Sequence, residues 1–313
     1  MNAGGMLVLA PERWDEACFV VPALRAGLAA GLDSGVLCAA AQRPFWETVN
    51  GLKVVEIPVK ASAKMVAVQL AGNWQASLAW QAGLAAEACQ RAGIPKRLGA
   101  DERKLNKLLT HPLGFSAGPL EHRVRHYLAA FEELGVETSR PEFFAAAALG
   151  IEAIPAAVLL CPGSDFGASH EWPLARWVEI ATRLLESGKQ LTVASDHGGR
   201  GLGQSLAQKL GDRCEVLVIS SLAEVLPQLA AQRLVIAADG SLPHVAAHVG
   251  ATCLTLFGPN DPAWKRPLGR QHRVVRRHVE CGPCLLAKCP FDQRCQNELE
   301  SEQVWEAVTA ILG

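Results

Sequence analysis

Along the chain, short apolar runs alternate with longer stretches whose apolar positions recur every three or four residues. MLVLA (6–10), GVLCAA (35–40), KVVEIPV (53–59) and MVAVQLAG (65–72) read as strands, since a brief apolar run bounded by turn residues fits a strand covered on both faces. CFVVPALRAGLAAG (18–31) reads as the helix after the first run, and a helical stretch is expected from Gln75 to about Arg91. In HRVRHYLAAFEELGV (122–136), Val124, Leu128, Phe131 and Leu134 share one helical face and Gly135 marks its end. A second series starts near Ile154. Strands are expected at AAVLLCPG, QLTVASD (190–196), EVLVIS (215–220), RLVIAAD (233–239) and ATCLTLFG (251–258). Helices are expected between them, over 174–188 and about 202–210, 222–231 and 243–249. SEQVWEAVTAILG closes the chain as a helix whose start Ser301 and Gln303 fit only loosely.

Strand–helix alternation throughout predicts an α/β protein with parallel sheets wrapped by helices. The two series, joined by a Pro- and Ala-rich stretch around 138–155, predict two Rossmann-like domains, 1–150 and 151–313. They are expected to face each other across a cleft at the C-terminal ends of their sheets, with the last helix packing back on the first domain. A length of 313 residues independently favours two domains.

Composition narrows the function classes. Half the residues are hydrophobic, 19% are charged and the net charge is −1, so no global pull toward nucleic acid or anionic lipid exists and no nucleic-acid partner is expected. No secretory signal is read at the N-terminus, and the Ala-rich 143–161 stretch is broken by Glu152 and Pro155, which predicts a cytoplasmic protein. Ten cysteines then need a reason other than secreted disulfides. Cys18, Cys38, Cys89, Cys161, Cys214 and Cys253 lie in apolar surroundings and read as small buried hydrophobes. Cys281, Cys284, Cys289 and Cys295 are different, clustered as C-x2-C-x4-C-x5-C. That spacing suits a structural zinc, with disulfides or free thiols as the alternatives. The segment lacks the aromatic and basic interleaving of a nucleic-acid-binding knuckle.

Three stretches carry candidate chemistry in the second half. In RLVIAADGSLPHVAAHVG a strand ends at Asp239, a Gly240-Ser241 turn follows, and Pro243 opens a helix. Free N–H groups there would suit a phosphate or diphosphate, and Asp239 could accept from a sugar hydroxyl; plain helix capping by Asp239 or Ser241 is the alternative. CPGSDFGASHEWP has the same strand–loop–helix logic, with His170 either a phosphate-binding cation or surface decoration and Trp172 a core residue. LTLFGPNDPAWKRPLG adds a Pro/Gly-rich loop with Lys265 and Arg266. In the first half, Asp15 and Glu16 follow the first strand, as a general base or as charges favouring the helix start. Lys96, Arg97, Arg103 and Lys104 form a basic run that could meet an anionic substrate or simply be solvated.

Together these stretches resemble the heptosyltransferase family of GT-B glycosyltransferases. PGSDFGASHEWP is similar to its P-G-x-x-F-G…W-P stretch, DGSLPH to its D-[ST]-G-x-x-H signature with Gly and Ser exchanged, and GPNDP to its G-P-x-x-P loop. CGPCLLAKCPFDQRC resembles the cysteine segment that many members carry, LAGNWQAS the L-x-G-N-x-x-S stretch, and HRVRHYL the H-x-V-x-R-Y-L helix. The resemblance implies an inverting transfer of a sugar, usually heptose from ADP-heptose, to a lipopolysaccharide core or related glycan acceptor at the inner membrane. It implies no catalytic metal or other cofactor. Donor contacts would fall on Ser164, His170, Asp239, Gly240, Ser241 and His244, and acceptor contacts on Asn73 and His122. Counting six residues back from Pro22-Ala23-Leu24 places the catalytic carboxylate on Glu16, with Asp15, at the position of the family's glycine, second. The family's donor-phosphate lysine is His170 here, which implies weaker, pH-dependent charge stabilisation. The acidic ribose contact has only Asp196 as a substitute.

Overall fold

The computed structural model describes residues 5–115, 120–195 and 201–313. The chain divides into two compact units, Met1–Ala145 and Ala146–Gly313.

The first unit runs β1 (Met6–Leu9), α1 (Trp14–Ala29), β2 (Ser34–Ala39), α2 (Arg43–Trp46), β3 (Lys53–Ile57), α3 (Ala63–Leu70), β4 (Ala76–Ala79), α4 (Leu84–Arg91), β5 (Lys96–Ala100), β6 (His111–Leu113) and α5 (Val124–Glu132). Its sheet has the order β3-β2-β1-β4-β5-β6, and every pairing is parallel. The order reverses between β1 and β4, so the chain's windings part at the C-terminal ends of those two strands. Leu7, Leu9 and Leu37 pack against Val66 and Leu70 of α3 and Ala88 and Cys89 of α4. Trp74 lies over Gly5 and Gly35, where an added Cβ would come within 3.0 and 2.2 Å of its ring.

Three sequence expectations change here. Residues 65–72 belong to a helix rather than a strand. Val66, Ala67 and Leu70 form its buried face, Ser62 caps it by accepting from the Met65 N–H, and exposed Met65 and Val68 fill the gaps that made the run look continuous. The helix expected from Gln75 is instead β4 followed by α4, because Gly83 interrupts the chain and ASLA carries too little bulk to announce a strand. Lys96 and Arg97 start β5, and the Arg97 guanidinium is spent on the carbonyls of Leu108 and Ile94.

The second unit runs β7 (Ile154–Cys161), α6 (Leu174–Glu186), β8 (Gln190–Ser195), α7 (Leu202–Leu210), β9 (Glu215–Val218), α8 (Leu222–Ala230), β10 (Gln232–Ala238), α9 (Leu242–His248), β11 (Thr252–Phe257), α10 (Pro262–Lys265), β12 (Arg273–Arg276), α11 (Arg294–Asn297) and α12 (Ser301–Leu312). Its sheet is again parallel, in the order β12-β11-β10-β7-β8-β9, and reverses between β7 and β10. Val158, Leu160, Leu234, Ile236, Leu254 and Leu256 line one face and pack with Trp177, Ile180 and Leu184 of α6 and Val304 and Val308 of α12. The last helix therefore contributes to the core of the second unit. Its start is firm rather than loose, because Glu300 and Gln303 close a reciprocal capping box.

Gly203, in α7, shows how tightly helix and sheet meet: a Cβ there would lie 2.0 Å from the Ala194 carbonyl oxygen on β8. Since the obstacle is backbone, Gly203→Ala is expected to push the helix off the sheet and cost about 1–3 kcal/mol despite alanine's better helix propensity. Urea unfolding measures this, and an unchanged or raised midpoint would contradict the packing.

Candidate functional site

At the end of β1 the chain turns through residues 11–13. The buried Gln42 amide fixes that turn by donating to the carbonyls of Pro11 (2.8 Å) and Glu12 (3.2 Å). Helix α1 opens at Trp14, four residues earlier than the sequence pattern suggests, so Asp15 and Glu16 sit inside its first turn, where negative charge meets the positive end of the helix dipole. Asp15 is fully buried and paired with Arg13 at 3.1 and 3.2 Å, which makes it a brace on the helix start.

Glu16 turns toward α5. Arg123 meets both of its oxygens, Nε to Oε1 and Nη2 to Oε2 at 3.2 Å each, and the Tyr127 hydroxyl donates to Oε2. Burial works against the Arg123 charge, but Glu16 and Tyr127 more than offset it and raise its pKa. The Tyr127 phenol is pushed well above its ordinary value by burial and then by the Glu16 charge. Trp80, just past β4, packs edge-on against Tyr127 with centroids 4.7 Å apart. His126 lies 5.9 Å from Trp80, its pKa lowered by burial and by Arg123. The cluster thus gathers at the reversal between β1 and β4, where open α/β sheets place ligands. His122 sits beside it, accepting from the Val124 N–H at 3.2 Å and packing edge-on to Phe19. Asn73 does not join. It precedes β4, at the N-terminal ends of the parallel strands, and its amide donates to the Gln69 carbonyl in the last turn of α3.

In the second unit the loops after β7, β10 and β11 converge on Asp239. This carboxylate is fully buried; Oδ2 lies 3.0 Å from His170 Nδ1 and 2.6 Å from Asn260 Nδ2, while Oδ1 has no hydrogen-bond partner among the described residues. Burial raises the Asp239 pKa, and His170, Asn260 and Lys265 oppose the rise without cancelling it. His170 is itself buried, so it meets Asp239 rather than standing in the loop as an exposed cation. Ser164 donates its hydroxyl to the Asp239 carbonyl. Asp165 accepts from the Ser241 N–H (2.7 Å) and hydroxyl (2.6 Å), so the turn expected to meet a phosphate already holds a carboxylate. A Cβ at Gly240 would come within 2.9 Å of Asp165 Oδ1, so a side chain there would shift that carboxylate. His244 is buried in α9. Asp196 lies outside the described residues.

This arrangement coincides with a sequence relationship. The model of Glycosyltransferase family 9 (heptosyltransferase) matches residues 85–294. The chain belongs to glycosyltransferase family 9. Among curated relatives, the family-9 chain is 31% identical over 121 residues to Lipopolysaccharide heptosyltransferase 2 of Escherichia coli strain K12, covering 37% of this chain and 35% of that protein. It is 33% identical over 130 residues to Lipopolysaccharide heptosyltransferase 1 of Pseudomonas aeruginosa, covering 41% and 36%. The matched stretches span only about a third of those relatives. A solved structure of E. coli ADP-heptose lps heptosyltransferase II is similar over 98% of both chains, with a TM-score of 0.78 at 19% identity, which establishes the GT-B fold.

In this family-9 chain the cysteine segment braces the Asp239 loops. Ser169 donates its N–H to the Ala287 carbonyl and its hydroxyl to that of Leu286, Gln293 donates to the carbonyls of Ala168 and Glu171, and Gln296 to that of His170. The thiols of Cys281, Cys284, Cys289 and Cys295 are unbridged. Cys295 is pushed up to about 11 by burial and by the other three thiols. Among the described residues no group of three or more His, Cys, Asp or Glu side chains is arranged to hold a metal ion, so the expected zinc finds no support in the geometry.

Sequence reasoning passed over Tyr127, Trp80, Asp165, Asn260 and Gln296. Arg123 and Tyr127 stand four apart on a helix, a spacing that puts them on one face. Asp165 and Asn260 lay inside the quoted PGSDFG and GPNDP motifs.

Asn260→Ala leaves His170 as the remaining side-chain hydrogen-bond partner of the buried Asp239 among the described residues. The expected loss is about 1–3 kcal/mol of stability. Asn260 favours the charged form, so removing it raises the folded-state Asp239 pKa further; the deficit is full above that pKa and shrinks as pH falls through it. Unfolding curves across pH check both, and a pH-independent deficit would contradict the network.

Proposed function

We propose that this chain is an inverting glycosyltransferase that moves heptose from ADP-heptose to a lipopolysaccharide core or related glycan acceptor. The first unit binds the acceptor and the second the nucleotide-sugar donor. Support comes from the family membership and from one geometric observation: Glu16 stands at the strand reversal of the first sheet, between Arg123 and Tyr127. In the proposed reaction the acceptor hydroxyl gives its proton to Glu16 while its oxygen attacks the anomeric carbon. The bond to the donor phosphate breaks with its electron pair on the phosphate oxygen. Asp15, buried against Arg13, is the weaker candidate for the base.

Glu16→Gln is expected to abolish transfer, by about 10²-fold or more, while a thermal-shift assay still detects donor binding. Full activity in both Glu16→Gln and Asp15→Asn would overturn the assignment. The alternative reading is a binding protein without turnover. It predicts nucleotide-sugar binding with neither transfer nor hydrolysis.

Peripheral membrane contact belongs to the same proposal. No described helix is long and apolar enough to cross a membrane. Val59, Met65 and Val68 are 80%, 60% and 75% exposed around α3, beside Lys60 and Lys64, and residues 57–86 contain no Asp or Glu. Apolar side chains beside lysines complement an anionic bilayer surface. The chain should co-sediment with vesicles containing phosphatidylglycerol, and Val68→Glu together with Lys64→Glu should release it. Equal sedimentation of the double variant would count against this face.

A further inference from the structure

The proposed donor carries two phosphates, and their departure leaves negative charge that a nearby cation must meet. The two groups expected from sequence to meet it are both engaged within the second unit. His170 is buried on Asp239, and the Ser241 N–H and hydroxyl are held by Asp165. Another cation reaches the same place from the loop after β11. The Lys265 ammonium lies over the Phe166 ring, 5.2 Å from its centroid, and Phe166 packs edge-on to His170 with centroids 5.5 Å apart. Lys265 thus shares the loop cluster of Phe166, His170 and Asp239 on the C-terminal side of the sheet, and its charge is felt at Asp239.

The backbone holds it there. Asp261 caps α10 by accepting from the Ala263 N–H at 2.8 Å and is itself held by Arg276 of β12 at 3.2 Å. Asn260, one residue earlier, is tied to Asp239. The segment that carries Lys265 is therefore pinned at both β12 and β10, while Lys265 remains only half-buried.

We infer that Lys265 is the side chain that neutralises the diphosphate of the donor and of the departing nucleotide, and that His170 serves to position Asp239. This rests on the proposed donor reading. During transfer Lys265 exchanges no proton: the electron pair of the broken bond stays on the phosphate oxygen, the acceptor proton goes to Glu16, and the ammonium answers the new charge electrostatically.

The test is calorimetric binding of ADP and adenosine, and of UDP and uridine as a pair with a different base. It uses the full chain, Lys265→Met and Lys265→Arg. Methionine keeps the apolar contact with Phe166, and thermal melts verify that each variant folds. The wild-type chain should prefer a nucleoside diphosphate over its nucleoside. Lys265→Met should cut that preference about 10- to 100-fold without changing nucleoside affinity, and Lys265→Arg should retain most of it. A preference unchanged in Lys265→Met would overturn the role of Lys265 and leave the donor reading standing. A wild-type chain that shows no preference for either diphosphate would overturn both.

Discussion

A carboxylate buried at the end of β10 governs the second unit. Asp239 has no exposure to water, and a charge in that position needs partners drawn from outside its own strand. His170 comes from the loop after β7 and Asn260 from the loop after β11, so satisfying one side chain fixes the path of three loops. The cysteine segment then ties down the backbone of the first loop through Ser169, Gln293 and Gln296. Its role is accordingly mechanical in what it touches: it sets where His170 can be.

Glu16 plays the matching part in the first unit. There a carboxylate on the first turn of α1 reaches across to α5, and Arg123 and Tyr127 close on it from one helical face. Both carboxylates stand where a parallel sheet reverses its winding, which is where loops of opposite hand part and leave room for a ligand. They differ in access. Glu16 keeps a 12% exposed side chain and Asp239 none, which suits the first to proton transfer and the second to holding structure.

Much of the fold was legible because bulky apolar runs such as AAVLLC and RLVIAA became central strands, and LARWVEIATRLLESG became α6. What escaped had a physical reason. The ladder that builds β5 and β12 is backbone, and their side chains, KRLGA and RVVR, mix charge into short strands, of which β12 is an edge strand of its sheet. Helix α3 was hidden because its outward face is apolar too. At the site, residue types and loops were readable, but pairing was not. The sequence pattern suggested that His170 and Ser241 would offer themselves to phosphate, and only the folded loops place Asp239 and Asp165 against them. Asn73 lies apart from the Glu16 cluster for a topological reason, standing before its strand rather than after it.

The stereochemistry of the product bears directly on Glu16 as the proposed base. With ADP-heptose and a lipopolysaccharide core acceptor, the anomeric configuration of the new linkage can be read by NMR. Direct attack by an acceptor oxygen activated by Glu16 predicts a single product inverted relative to the donor. A linkage that retains the donor configuration, or donor that binds without transfer, would contradict the account.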